Sequence, residues 1–149
     1  MHTCFDVANY FLKCQRYEAG ELITNMKLQK LVYYAQGIYL AMQGKPLFNE
    51  KIYAWEYGPV CDSLWRKYKD YESEPLPRPN DINTDDIFEI ETKQILDMVY
   101  DYYGQYSAWG LSEMSHKEQI WIDANRNGRA EITVEAMKEY FLTQIEETN

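Results

Sequence analysis

The stretch that most constrains this chain lies between a threonine and a glycine. Leu28, Leu31, Ala35, Ile38 and Met42 recur at steps of three and four residues, the spacing that lines apolar side chains along one face of an α-helix. Thr24 stands where an N-cap hydroxyl belongs. Gly44 occupies the place of a left-handed residue past a helix end, and Pro46 follows two residues later. The pattern predicts a helix over 26–43 with one buried stripe. Such a stripe must be covered, so the rest of the chain has to supply a core around it.

The remaining segments supply mostly more helix. Phe5, Ala8, Phe11 and Leu12 predict a helix over 4–16, interrupted at Gly20. Residues 51–57 are rich in aromatics and alternate imperfectly, which predicts a short strand. Gly58-Pro59 breaks it. Proline is tolerated at the first position of a helix, so a helix is expected from 59 to about 71, with Val60, Leu64, Trp65 and Tyr68 on a shared face. Residues 72–84 hold Pro75, Pro77 and Pro79 with several small polar residues, so they are expected to form a mobile loop. Helices follow over 91–103, ended by Gly104, and from the cap Ser107 to about Ser115. A helical turn is expected around Trp121, a turn at Asn127-Gly128, and a last helix from Thr133 to about Glu146 with Met137, Tyr140, Phe141 and Ile145 inward. Strands and helices do not alternate, which disfavours a parallel α/β sheet. The expected fold is mainly α, a compact single domain over 1–149 with about six helices and at most a small β hairpin or strand pair.

Charge and cysteine content narrow the function. Fifteen basic against 24 acidic residues leave a formal charge of −9, which repels phosphate backbones and disfavours nucleic-acid binding by the chain itself. The densest basic run, Arg66-Lys67-Tyr68-Lys69, is answered at once by Asp70 and Glu72. No stretch approaches the roughly 18 apolar residues that span a bilayer, and residues 1–20 carry no signal-peptide pattern. Cys4, Cys14 and Cys61 lack metal-ligand spacing and are expected to be reduced thiols in the cytoplasm. Fourteen tyrosines and four tryptophans supply large rings with a polar end, suited both to the edges of a core and to interface hot spots.

Candidates for chemistry are few. His116 sits in Ser115-His116-Lys117-Glu118-Gln119-Ile120-Trp121. Neighbouring helical residues point about 100° apart, so Ser115 is poorly placed to be activated by His116; a cysteine brought in from elsewhere stays open. Asp85-Asp86, Glu89 and Glu91 lack the twelve-residue calcium-loop pattern, and the glycines are isolated rather than phosphate-cradling. No catalytic residue, metal ligand or cofactor is expected. The reversal at Gly58-Pro59 can hold Trp55 and Tyr57 rigidly as partner contacts; the alternative is that both are core. Tyr33, Tyr34 and Gln36 pose the same question on the long helix.

One set of segments is familiar. Met26-Lys27-Leu28-Gln29-Lys30-Leu31-Val32-Tyr33-Tyr34-Ala35-Gln36 leads into Gly44-Lys45-Pro46-Leu47-Phe48, then Ala54-Trp55-Glu56-Tyr57-Gly58-Pro59-Val60, and far downstream the block around His116 and Trp121. In order and spacing they resemble the Panacea-domain antitoxins, also met as phage-associated proteins, over nearly the whole chain to about Phe141. This chain has Ser115 and Ile120 where the family commonly has Thr before the His and Pro before the Trp. The resemblance implies a non-enzymatic protein that neutralises a cognate bacterial toxin by direct binding. In some relatives it implies an adaptor that delivers the toxin to an ATP-dependent protease. The partner-binding residues expected from these blocks are Tyr34, Gln36, Trp55, Tyr57, Gly58, Pro59, Val60, His116 and Trp121. The alternatives are a small hydrolase using His116 and a DNA-binding regulator. The toxin's identity and the oligomeric state are left open by the sequence.

Overall fold

In the computed structural model, residues 2–15, 22–79 and 87–148 are described. The elements run α1 (Cys4–Cys14), α2 (Asn25–Gln43), β1 (Ile52–Trp55), β2 (Gly58–Cys61), α3 (Asp62–Tyr68) with a 3₁₀ turn at Lys69–Tyr71, α4 (Ile90–Tyr103), α5 (Ala108–His116), α6 (Gln119–Arg126), β3 (Glu131–Ile132) and α7 (Val134–Thr148). The fold is mainly α, with a small antiparallel sheet in the order β2-β1-β3. None of the described helices is long and apolar enough to cross a membrane.

The long helix forms where its caps place it. Thr24 Oγ1 accepts from Lys27 N at 3.3 Å, and Gly44, at φ 77°, donates its N–H to Leu40 O at 2.9 Å. Its burial departs from the expected single stripe. Residues Asn25 and Lys27–Leu40 are buried almost without a break, because α1, α4, α5, α7 and β2 all pack on α2. A helix buried all round is a central core helix. Met42, expected within the stripe, is 50% exposed instead, since α2 has by then run beyond most of its cover. α7 lies closest: a Cβ added at Gly37 would stand 2.2 Å from Phe141 Cε2.

Two expectations around Gly58-Pro59 are corrected. Pro59 does not open a helix. Glu56-Tyr57 forms a two-residue turn, and the chain folds straight back with Trp55 opposite Gly58 and Ala54 opposite Pro59. Gly58 takes φ 114°, a conformation that side-chain-bearing residues rarely adopt. Proline fits here because β2 is an edge strand, where a missing N–H is tolerated. Val60 therefore lies on a strand, and α3 starts only at Asp62, with Cys61 as its N-cap. A third strand, Glu131–Ile132, pairs with the other side of β1 and was not anticipated. The segment around Trp121 is a full helix rather than a turn, which makes seven α-helices among the described residues.

The described part of the loop after α3 is anchored at Leu76 and at Arg78, whose guanidinium donates to Gln15 O. Leu76 is buried and donates its N–H to Ile23 O at 2.8 Å, while its carbonyl accepts from the buried Gln15 amide at 3.3 Å. The rest of the loop expected over 72–84, from residue 80 on, lies outside the described residues, as do residue 16 of the first expected helix, Gly20, Asp85 and Asp86.

Candidate functional site

The end of β1 and the two-residue turn after it present a run of carbonyls that the strand ladder satisfies only in part. Such groups must be satisfied by side chains or water. Here four successive carbonyls are each taken by a side chain of α5 or α6. Asn125 Nδ2 donates to Ala54 O at 3.0 Å, and Trp121 Nε1 donates to Trp55 O at 2.9 Å. His116 donates from Nε2 to Glu56 O, since a carbonyl can only accept. Ser112 Oγ donates to Tyr57 O at 2.6 Å. The His116 and Trp121 rings lie against each other, 4.4 Å between centroids. The turn is thus held along its length by the α5–α6 corner.

From the inner side, α2 holds the same hairpin. Lys30 Nζ donates to Pro59 O at 3.1 Å, and Gln29 Oε1 accepts from Cys61 N at 2.9 Å. Burial of the Lys30 ammonium pushes its pKa down to about 7. A Cβ at Gly58 would stand 2.6 Å from Ser115 Oγ and 2.7 Å from Lys30 Cε, so the turn needs glycine for space as well as for its backbone angle. One helical turn further along α2, Tyr33 and Tyr34 donate their hydroxyls to the two Glu118 carboxylate oxygens at 2.7 and 2.9 Å. Desolvation raises Glu118 to about 7, against the opposing pull of the two phenol hydrogen bonds. Tyr34 also stacks flat on Tyr103, 3.9 Å between centroids and 6° between planes.

These contacts sort the nine residues named from the sequence. Tyr34 and Gln36 are internal: Gln36 donates to Phe48 O at 2.8 Å and accepts from Leu47 N at 2.7 Å, which spends its amide inside the fold. Gly58, Pro59 and Val60 are buried as well. Trp55, His116 and Trp121 are half-buried, and Tyr57 is 60% exposed. The fold therefore brings Trp55, Tyr57, His116 and Trp121 together at one corner and leaves Tyr34 and Gln36 behind it. Trp55 packs edge-on to Trp65 at 6.1 Å and lies under the Arg129 guanidinium at 4.8 Å, while Arg129 pairs with Glu56 at 3.2 Å.

The sequence reading missed Ser112, Asn125, Lys30 and Glu118, which hold the corner, and Trp109, which extends it. Trp109 is 67% exposed and stands three residues before Ser112 on α5. A tryptophan in the first turn after a clear cap, Ser107, was the available signal.

The sequence profile of the family described as "Antitoxin SocA-like, Panacea domain" matches residues 28–122, a span that includes α2, the hairpin and the α5–α6 corner through Trp121. Antitoxin SocA of Caulobacter vibrioides (strain NA1000 / CB15N) is 46% identical over 44 residues, which make up 30% of this chain and 23% of that protein. No solved structure matches the chain.

Proposed function

From this chain's membership of the SocA-like antitoxin family with a Panacea domain, we propose that it neutralises a cognate bacterial toxin in the cytoplasm by direct binding, through the corner where the hairpin meets α5 and α6. Residues 1–149 act in this reading as a single Panacea-like domain. One observation carries the choice of surface: Tyr57 and Trp109 hold large apolar side chains in solvent, 60% and 67% exposed, Tyr57 on a turn whose carbonyls are held by side chains and Trp109 on α5, the helix that supplies two of those side chains. Exposed aromatics held in place lose little freedom on docking, which suits them to dominate an interface. Trp55, His116 and Trp121 then act as the frame of that surface and as its half-exposed floor.

Binding rather than turnover is favoured by how the polar groups are used. The His116 ring donates to Glu56 O, and the Ser115 hydroxyl donates to Ser112 O at 3.0 Å, so neither is arranged as a nucleophile with its base. Delivery of the bound toxin to an ATP-dependent protease is the finer form of the same reading.

The test is co-expression with the small growth-inhibiting product of the adjacent gene. Growth is expected to be restored, and the two proteins are expected to co-purify. If rescue requires an ATP-dependent protease and the toxin disappears with time, neutralisation proceeds by delivery; a stable complex assigns it to binding alone. Absence of both rescue and co-purification would remove the antitoxin reading.

A further inference from the structure

The far half of α2 opens onto a second surface. Ile38, Met42, Met98, Val99, Tyr102 and Ile145, from α2, α4 and α7, line an apolar groove of about 530 Å³, within the range of roughly 300–1,000 Å³ typical of ligand-accepting clefts. Met42, Met98 and Tyr102 are 50%, 47% and 52% exposed along it. Beside it, sharing Met98 and Tyr102, lies a shallower polar depression whose lining includes Asp97 and Asp101. The two carboxylates are four residues apart on α4, and so on one face of the helix. One oxygen of Asp97 accepts from the Tyr10 hydroxyl. No Lys, Arg or His lines either depression among the described residues.

The surface is thus an apolar slot rimmed with polarizable methionines, with an acidic shelf along one side that no basic side chain lines among the described residues. Methionine-rich grooves adapt to varied apolar faces. The acidic shelf selects the charge that must flank such a face, and the chain's overall −9 steers cations towards it. The hairpin corner meets α2 at Gln29 and Lys30, whereas the groove uses Ile38 and Met42, roughly 12–20 Å further along the axis at about 1.5 Å per residue.

We propose that the α2–α4–α7 groove docks an amphipathic helix of a protein partner, its apolar face in the slot and a pair of basic side chains, four residues apart, on Asp97 and Asp101. This surface is separate from the hairpin corner, and the proposal stands whether or not that corner binds a toxin.

The probe is a fluorescein-labelled helical peptide of leucine and lysine, with one leucine face and lysines paired four residues apart beside it. Its control is the same composition scrambled so that no face exists. Fluorescence anisotropy with the full chain should show the amphipathic peptide binding at least about tenfold more tightly than the scrambled one. Met98→Glu and Asp101→Lys, each checked for an unchanged circular dichroism spectrum, should each weaken it by about tenfold, and Tyr57→Ala should not. If Met98→Glu fails to fold, Met42→Glu at the half-exposed end of α2 takes its place. Equal affinity for both peptides would reduce the effect to net charge and overturn the proposal. Wild-type affinity in the groove variants would place binding elsewhere and overturn it too. So would a wild-type dimer in sedimentation that Met98→Glu converts to a monomer, because a second copy would then be the occupant.

Discussion

Lys30 and Glu118 lie on opposite sides of neutrality in ordinary peptides, yet burial draws both to about 7. Their effects on stability have opposite signs. Glu118, raised from 4.5, binds a proton more readily in the folded state, so the stability it contributes is full below about pH 4.5 and is lost as pH rises to about 7. Lys30, lowered from 10.5, is more readily deprotonated in the folded state, so its contribution is absent below about pH 7 and returns as pH rises to about 10.5. Stability should therefore dip near neutral pH. Thermal melts from pH 4 to 10 check this: Glu118→Gln should flatten the fall on the acid side, and Lys30→Met the rise on the alkaline side. A wild-type profile that peaks at neutrality would contradict both assignments. Neither residue stood out in the sequence, because a lysine and a glutamate carry no mark of burial. Burial here is decided by what packs over α2 and the α5–α6 corner. His116 and Trp121 did stand out, since their side chains are rare and polar at one end. Their partners did not, because every residue has a carbonyl and only the folded turn shows which ones need a donor.

Among the elements, what could be read locally was read well. The caps of α2 and α5 rest on side chains within three residues of the helix start, so Thr24 and Ser107 were visible in sequence. Pro59 was misread because a two-residue hairpin depends on the strand across from it, and β3 because two residues leave no periodicity to detect. The hairpin also makes the clearest prediction at this scale. Trp121→Phe keeps an aromatic ring but removes the side-chain donor to Trp55 O. Losing one such hydrogen bond typically costs ~0.5–1.5 kcal/mol, here at the low end because the residues are half-exposed. A lower Tm with an unchanged far-ultraviolet spectrum is expected. An unchanged Tm would mean that water replaces the indole without loss, and that the clamp adds nothing to the turn.

For the whole molecule, the charge of −9 sets the response to polyanions. The purified chain should bind duplex DNA only weakly at physiological salt; sub-micromolar affinity in an electrophoretic mobility titration would restore the regulator alternative. The family was legible in sequence because its blocks fall on the parts that build the corner: the central helix, the hairpin and the α5–α6 junction. The proposed contact surface was legible only in part, since Tyr34 and Gln36, named with it from the sequence, are buried inside the fold. Toxin capture by exposed aromatics is tested most directly by isothermal titration of the purified toxin against the wild type and against Tyr57→Ala and Trp109→Ala. Both substitutions remove exposed side chains, so stability should change by no more than about 0.5 kcal/mol. Affinity should fall by about thirtyfold or more at whichever is a hot spot, equivalent to ~2 kcal/mol. Full wild-type affinity in both folded variants would contradict the placement of the toxin at this corner.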